Sequence, residues 1–230
     1  MREPRDSELL DRARKGDAAA FDTLVRRHDK HLYRIARSVL SDDQEAEDAV
    51  QESYIRAFTG LRDFRGAASL RTWLTRIVLN EAIRRRRHRR STVDLDALHA
   101  AQERTRRPVH SSSLTAQDRD PERAAAQSQI RKTLEKAIDN LPAAFRVVLV
   151  MRDVEEFSTA DTAKLLGIRQ ETVKTRLHRA RRMLRESLGE QLALALKDVF
   201  PFEKPRCDAL VQRLRGQLGF AGSLSLMRSL

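Results

Sequence analysis

The chain has 230 residues, 45 Lys and Arg against 33 Asp and Glu, a formal net charge of +12, and only 5% aromatic residues. With eight glycines and six prolines, this composition disfavours a large β core and favours one or two small helical domains. The positive excess points to a polyanion, nucleic acid ahead of an anionic membrane. No apolar run approaches spanning length, the N-terminus MREPRDSELL lacks a signal-peptide core, and the lone Cys207 has no partner for an internal disulfide, so a reducing, cytoplasmic setting without membrane insertion is expected.

From Ser7 to about residue 90 the apolar pattern is helical. Asp17 is placed to cap a helix that buries Phe21, Leu24, Val25, Leu32, Ile35, Ala36 and Val39. His28 and His31 share that helix at i, i+3 but have no third ligand nearby, and they read as surface or helix-end histidines rather than a metal site. Ser41 and Gln44 have the spacing of a capping box, which predicts a helix start. The stretch from Ser41 to Glu52 carries six acids and no Lys or Arg. Ala46, Val50, Ser53 and Ala57 form its inward stripe, leaving Asp48, Gln51, Glu52 and Ile55 on the outer side. An acidic face on a basic protein suits docking to a basic protein partner; a merely solvated face is the competing reading, and these residues alone do not choose.

The segment FRGAASLRTWLTRIVLNEAIRRRRHRR follows. Residues 65–69 read as a loop, Ser69 as the next N-cap, and Leu70, Leu74 and Ile77 as core. A second line joins Trp73, Arg76, Asn80, Arg84 and Arg87 in steps of three and four. An aromatic, an amide and guanidiniums on one line suit an unpaired nucleic-acid strand, with bases stacked on the ring and arginines on phosphates. Trp73 taken alone is better explained as a core residue, and the arginines that follow tip the balance. The run from Arg84 to Arg90, six arginines broken only by His88, repels itself unless an anion lies against it.

Residues 91–119 lose helical periodicity and read as a flexible tether, with room for a short helix between Leu95 and Ala101. Asp120, Pro121 and Glu122 resemble N-cap, N1 and N2 of a new helix carrying Ile130, Leu134, Ala137, Ile138 and Leu141. Pro142 begins another, with Val147, Val148 and Met151. Then comes STADTAKLLGIRQETVKTRLHRARRMLR. Ser158 and Asp161 cap a short helix, Gly167 turns the chain, and Ile168 plugs the corner. The next helix buries Val173, Leu177, Ala180 and Leu184 and presents Thr175, His178, Arg179 and Arg182, with Lys174 at the edge. An apolar back and a cationic front across a glycine turn make a helix-turn-helix, whose second helix enters a major groove. In the tail, Leu192, Leu194, Leu196, Val199, Phe200 and Phe202 are apolar, and Cys207, Leu210, Val211, Leu214 and Leu218 form an amphipathic stripe. The tail is expected to fold back on a domain or bind a partner, with Cys207 acting as a small hydrophobe.

The segment from Asp17 to Phe58, the Phe64–Arg90 segment and the segment from Leu134 to Leu184 together resemble the extracytoplasmic-function (group IV) sigma factors of bacterial RNA polymerase, members of the sigma-70 family. The resemblance implies an all-α chain: region 2 over 1–90, a linker over 91–119, region 4 over 120–188, and a C-terminal helical extension over 189–230. It implies that Asp48, Gln51 and Glu52 dock on core RNA polymerase. Phe64, Ser69, Trp73, Arg76, Asn80 and Arg84 would open the promoter −10 element and hold an extruded base. Lys174, Thr175, Arg176, His178 and Arg179 would read the −35 element. It further implies an anti-sigma partner, no enzymatic activity and no cofactor. Glu156 stands where the family often has Gly, Leu70 replaces a frequent aromatic, and the tail beyond Leu188 exceeds the minimal pattern. The alternatives are a free-standing helix-turn-helix regulator that binds a palindrome as a dimer, which needs neither the acidic face nor the Trp73 line, and a nuclease, for which no acid cluster suited to a metal lies beside the arginines.

Overall fold

Nine α-helices and no strand make up the described residues, which in this computed structural model are 4–61, 64, 66, 68–97, 121–188 and 207–219. In chain order they are α1 (Asp6–Arg14), α2 (Ala18–Leu40), α3 (Asp43–Thr59), α4 (Leu70–Ala97), α5 (Pro121–Asn140), α6 (Ala143–Leu149), α7 (Thr159–Leu166), α8 (Gln170–Leu188) and α9 (Cys207–Gln217). A π turn, Val150–Val154, continues α6.

Capping chemistry sets several of these boundaries. Asp17 accepts from the amides of Ala19 and Ala20, as its position predicts, and those bonds hold its carboxyl below the usual range. The start of α3 differs from expectation. Asp42, not Ser41, is the N-cap and accepts from the Glu45 amide at 2.9 Å. Ser41 instead ends α2 in the left-handed region, at φ 59°, so its hydroxyl is one residue too early to cap α3. Helix α4 runs on to Ala97, past the expected end of the first block at 90. The expected cap Asp120 and the apolar tail residues 192–202 lie outside the described residues.

Helices α1 to α4 pack around Phe21, Leu24, Leu32, Ile35, Tyr54 and Leu79, each almost fully buried. Phe21 meets Phe58 edge to face at 4.5 Å. Helices α5 to α8 bury Leu134, Ile138, Leu149, Met151 and Leu184 in the same way. These are not two separate cores: α2 packs on α6 and the π turn, and α4 on α7, so that one apolar cluster runs through both groups.

The π turn closes when the Glu155 amide donates to the Val150 carbonyl at 2.9 Å. The chain then reverses through Glu156 at φ 56° and reaches α7, where the Ser158 hydroxyl accepts from the Asp161 amide. A left-handed residue with a Cβ costs about 1–2 kcal/mol, so Glu156 holds its backbone conformation under strain. Glu156→Gly should stabilise the fold by about 0.5–1 kcal/mol, the relief being partly offset by glycine's greater chain entropy. Urea unfolding checks this, with Glu156→Val expected to shift the midpoint the other way.

Candidate nucleic-acid interface

The helix-turn-helix forms as its sequence predicts. Gly167 ends α7 at φ 65°, and the Ile168 amide returns to the Ala163 carbonyl at 3.0 Å. Val173, Ala180 and Leu184 are buried and Leu177 packs against the core, which fixes the rotation of α8. Lys174, Thr175, His178 and Arg179 lie together on the opposite side, away from that stripe, and Arg176 is half-buried at its margin. The Thr175 hydroxyl donates to the Glu171 carbonyl at 2.8 Å. Arg181, which no sequence pattern singles out, makes a paired contact with Asp153 of the π turn at 2.9 and 2.6 Å and locks α8 against α6.

The line on α4 also forms. Phe64 and Trp73 are both half-buried, with ring centroids 5.1 Å apart, so Trp73 is a rim residue rather than a core one. Ser69 caps the helix by accepting from the Thr72 amide, and Arg76 and Asn80 are exposed. Arg84 is exposed too, but it is committed: both its Nε and Nη2 reach Glu81, at 3.0 and 2.7 Å. Arg85 and Arg56 share that same buried carboxylate, and Arg89 meets Glu45. The arginine run is therefore partly neutralised from within, which spacing alone does not reveal. On α3, Asp48, Gln51 and Glu52 are half-buried rather than bare. Asp48 accepts from Gln44, Glu52 pairs with Arg56, and Gln51 donates to Gln217 of α9.

Residues 24–92 match the model for Sigma-70 region 2 and residues 131–184 the one for Sigma-70 region 4. The chain is 34% identical over 189 residues to the ECF RNA polymerase sigma factor SigM of Mycobacterium tuberculosis, spanning 81% of this chain and 86% of that one. It is 33% identical over 181 residues to SigW of Bacillus subtilis, spanning 79% and 95%. The chain belongs to the extracytoplasmic-function sigma factors. Among solved structures it resembles the sigma factor RpoE in complex with the anti-sigma factor NepR from Bartonella quintana, with a TM-score of 0.51, 28% identity, and coverage of 69% of this chain and 89% of that one. CnrH in complex with the cytosolic domain of CnrY gives 0.51, 27%, 79% and 95%.

How this sigma factor joins its region 2 and region 4 is not visible in its sequence. His28 and His31 are buried, not superficial, because α1 covers one and the π turn covers the other. His28 Nε2 meets Asp6 at 2.9 Å. His31 Nδ1 donates to Glu155 Oε2 at 2.6 Å, and its Nε2 faces the Thr75 hydroxyl at 2.7 Å. Arg34 and Arg71 also pair with Glu155, and Arg71 stacks on the Phe157 ring at 5.1 Å. Burial pushes the Glu155 carboxyl up, but the His31 hydrogen bond and the two guanidiniums outweigh it and hold it below its ordinary value. Burial dominates at His31 and pushes it down, against the pull of Glu155. A second clasp joins Arg37 of α2 to both carboxylate oxygens of Asp139 on α5, at 2.8 and 2.7 Å, while Asp43 takes the Nε. Between the clasps lies buried Arg146, whose Nε and Nη1 donate to the carbonyls of Ser38 and Asp139 at 2.6 and 2.8 Å. It thereby caps the C-terminal turns of α2 and α5, where a cation meets the favourable end of each helix dipole.

Proposed function

We propose that this chain directs core RNA polymerase to promoters as an alternative sigma factor, with region 2 over 1–90 opening the −10 element and region 4 over 120–188 reading the −35 element, joined by a linker at 91–119 whose first residues, to Ala97, continue α4. The observation that carries this is the pairing, in one chain, of two different DNA-facing surfaces. One is the cationic front of α8, with Lys174, Thr175, His178 and Arg179, shaped for a duplex groove. The other is the Phe64–Trp73 pair with Ser69, Arg76 and Asn80 on the same stretch of α4, which offers stacking, an amide and a cation to a base leaving its stack, while Arg84 further along the line is held by Glu81. Unstacking costs a few kcal/mol, and the rim returns part of it by stacking and hydrogen bonding. Asp48, Gln51 and Glu52 supply the docking face for the polymerase. An anti-sigma factor is the expected regulatory partner, by analogy with the two solved complexes, and the chain works in the cytoplasm as a binding protein rather than an enzyme. Among the described residues no helix is long and apolar enough to cross a membrane.

A dimeric regulator would grip its duplex target alone, whereas a sigma factor needs core polymerase. Promoter binding should therefore appear only when core polymerase is added. Arg179→Ala should then weaken the upstream contact by about 1–3 kcal/mol and relax its base preference, read by competition among promoter variants. Tight binding by the isolated chain, with a two-fold symmetric footprint, would overturn the proposal.

A further inference from the structure

The apolar stripe of the C-terminal extension has a definite seat. Leu210, Val211 and Leu214 of α9 are buried, and Leu218 packs beside them. The helix lies against α2 and α3. Its polar flanks are matched in charge on both sides. On α2, Asp22 takes Arg215 through two bonds at 2.8 and 2.5 Å, and Arg26 takes Asp208 at 2.5 Å. On α3, Glu47 meets Arg213 at 3.6 Å, and Gln51 donates to Gln217 at 3.0 Å. An amphipathic helix in a groove, anchored at i, i+1 and i+4 and flanked by complementary charges, has the anatomy of a specific helix–protein interface.

Glu47 and Gln51 are one turn apart on α3, and Asp48 and Glu52 are their immediate neighbours. A helix with its side chains is about 10–12 Å across. A partner that touches Asp48, Gln51 and Glu52 together must enter the volume that α9 fills. We propose that α9 and core RNA polymerase are mutually exclusive occupants of the α2–α3 face, so that α9 is a covalently attached competitor for the polymerase. This rests on the docking reading of Asp48, Gln51 and Glu52. A segment of the same chain needs little intrinsic affinity, because a tether raises its local concentration to roughly millimolar. The polymerase must therefore bind strongly enough to displace α9, and any factor that draws α9 away activates the sigma factor.

The decisive experiment pins α9 in place without touching the docking residues. In a Cys207→Ser background, Asp22→Cys and Arg215→Cys put thiols at a contact between α2 and α9, and a reductant-cleavable bismaleimide joins them. The linked chain should bind core polymerase at least tenfold more weakly than the same chain after cleavage. A second full-length variant, Arg213→Glu with Leu214→Asp and Arg215→Glu, should release α9 and bind at least tenfold more tightly than wild type. Equal affinity of linked and cleaved chains would overturn the exclusion. The docking reading is tested separately by adding Glu52→Lys to the released variant. A fall in polymerase affinity there, together with a harmless link, removes only the role of α9. No fall removes the docking face itself, and the exclusion with it.

Discussion

Glu155→Gln should shift the molecule away from the closed arrangement, in which the π turn and α7 pack on α2 and α4, towards an open one. The Glu155 carboxylate is held from region 2, by His31 and Arg34 on α2 and Arg71 on α4. The substitution keeps the shape and removes the charge that those partners share. Breaking a buried ion pair costs about 3–5 kcal/mol, and the lower end applies here because Arg71 is 42% exposed and partly screened. A loss of about 3 kcal/mol changes the closed-to-open ratio roughly a hundredfold. Small-angle scattering should show a larger radius of gyration with unchanged helical circular dichroism. Asp139→Asn should do less, since Arg37 keeps Asp43 within its own region. Acid should mimic the substitution. Burial holds His31 below its ordinary value of 6.5 in the closed form, so the opened form takes up a proton more readily. The contribution of His31 to closure is whole above 6.5 and fades as the pH falls below it. Glu155 acts in the same sense lower down, its lowered value making its contribution fade below 4.5. A radius of gyration that stays constant in Glu155→Gln and from about pH 7.5 to about pH 5.5, a range that brackets the ordinary histidine value, would show that the apolar contact alone holds the halves together.

What could be read in advance follows from the range of the interactions. The helix-turn-helix depends on residues within one or two turns of each other: Ser158 with Asp161, Gly167 with Ala163 through Ile168, Val173 with Leu177 and Ala180. Local spacing carries all of that. The α4 line is legible for the same reason, and so is the apolar stripe of α9. His31 reads wrongly as a surface residue because its partner lies 124 residues away, and no local pattern announces a buried histidine that will face a carboxylate. Arg37 and Asp139 are separated by 102 residues and look like surface charges in any window. One signal does exist. Glu155 and Glu156 come shortly after the apolar run from Val147 to Met151, and the left-handed φ of Glu156 turns the chain there while the Glu155 carboxylate meets His31 of region 2. The tail's stripe shows that α9 will bury one side, but not against what, because Asp22, Arg26, Glu47 and Gln51 converge only once α2 and α3 have packed.

Glu81→Gln should destabilise region 2 although it keeps the shape of the side chain. The Glu81 side chain is wholly buried and collects Arg84 at 2.7 Å, Arg85 at 2.7 Å and Arg56 at 3.2 Å. Burial pushes its carboxyl up, but the bonds from Arg84 and Arg85 and the charge of Arg56 more than compensate, so it stays ionised and below its ordinary value. Without that charge, three guanidiniums face one another at the start of the arginine run. Two of them are about half-exposed, so the loss should fall short of a fully buried pair, at about 2–4 kcal/mol, in a fold whose whole stability is of order 5–15 kcal/mol. The lowered value gives the sign of the pH effect. Wild-type stability carries this contribution above 4.5 and loses it as the pH falls through the folded value, so the difference between wild type and variant should shrink in acid. Urea melts at neutral and acid pH measure it directly. The same change frees Arg84 to meet phosphate. The variant should therefore bind single-stranded DNA with a steeper salt dependence, by about 0.7 for each new phosphate partner, even as the domain becomes easier to unfold. Were Glu81→Gln to leave both stability and salt slope unaltered, the buried carboxylate would be acting as a hydrogen-bond acceptor alone, and the arginine run would owe its order to packing.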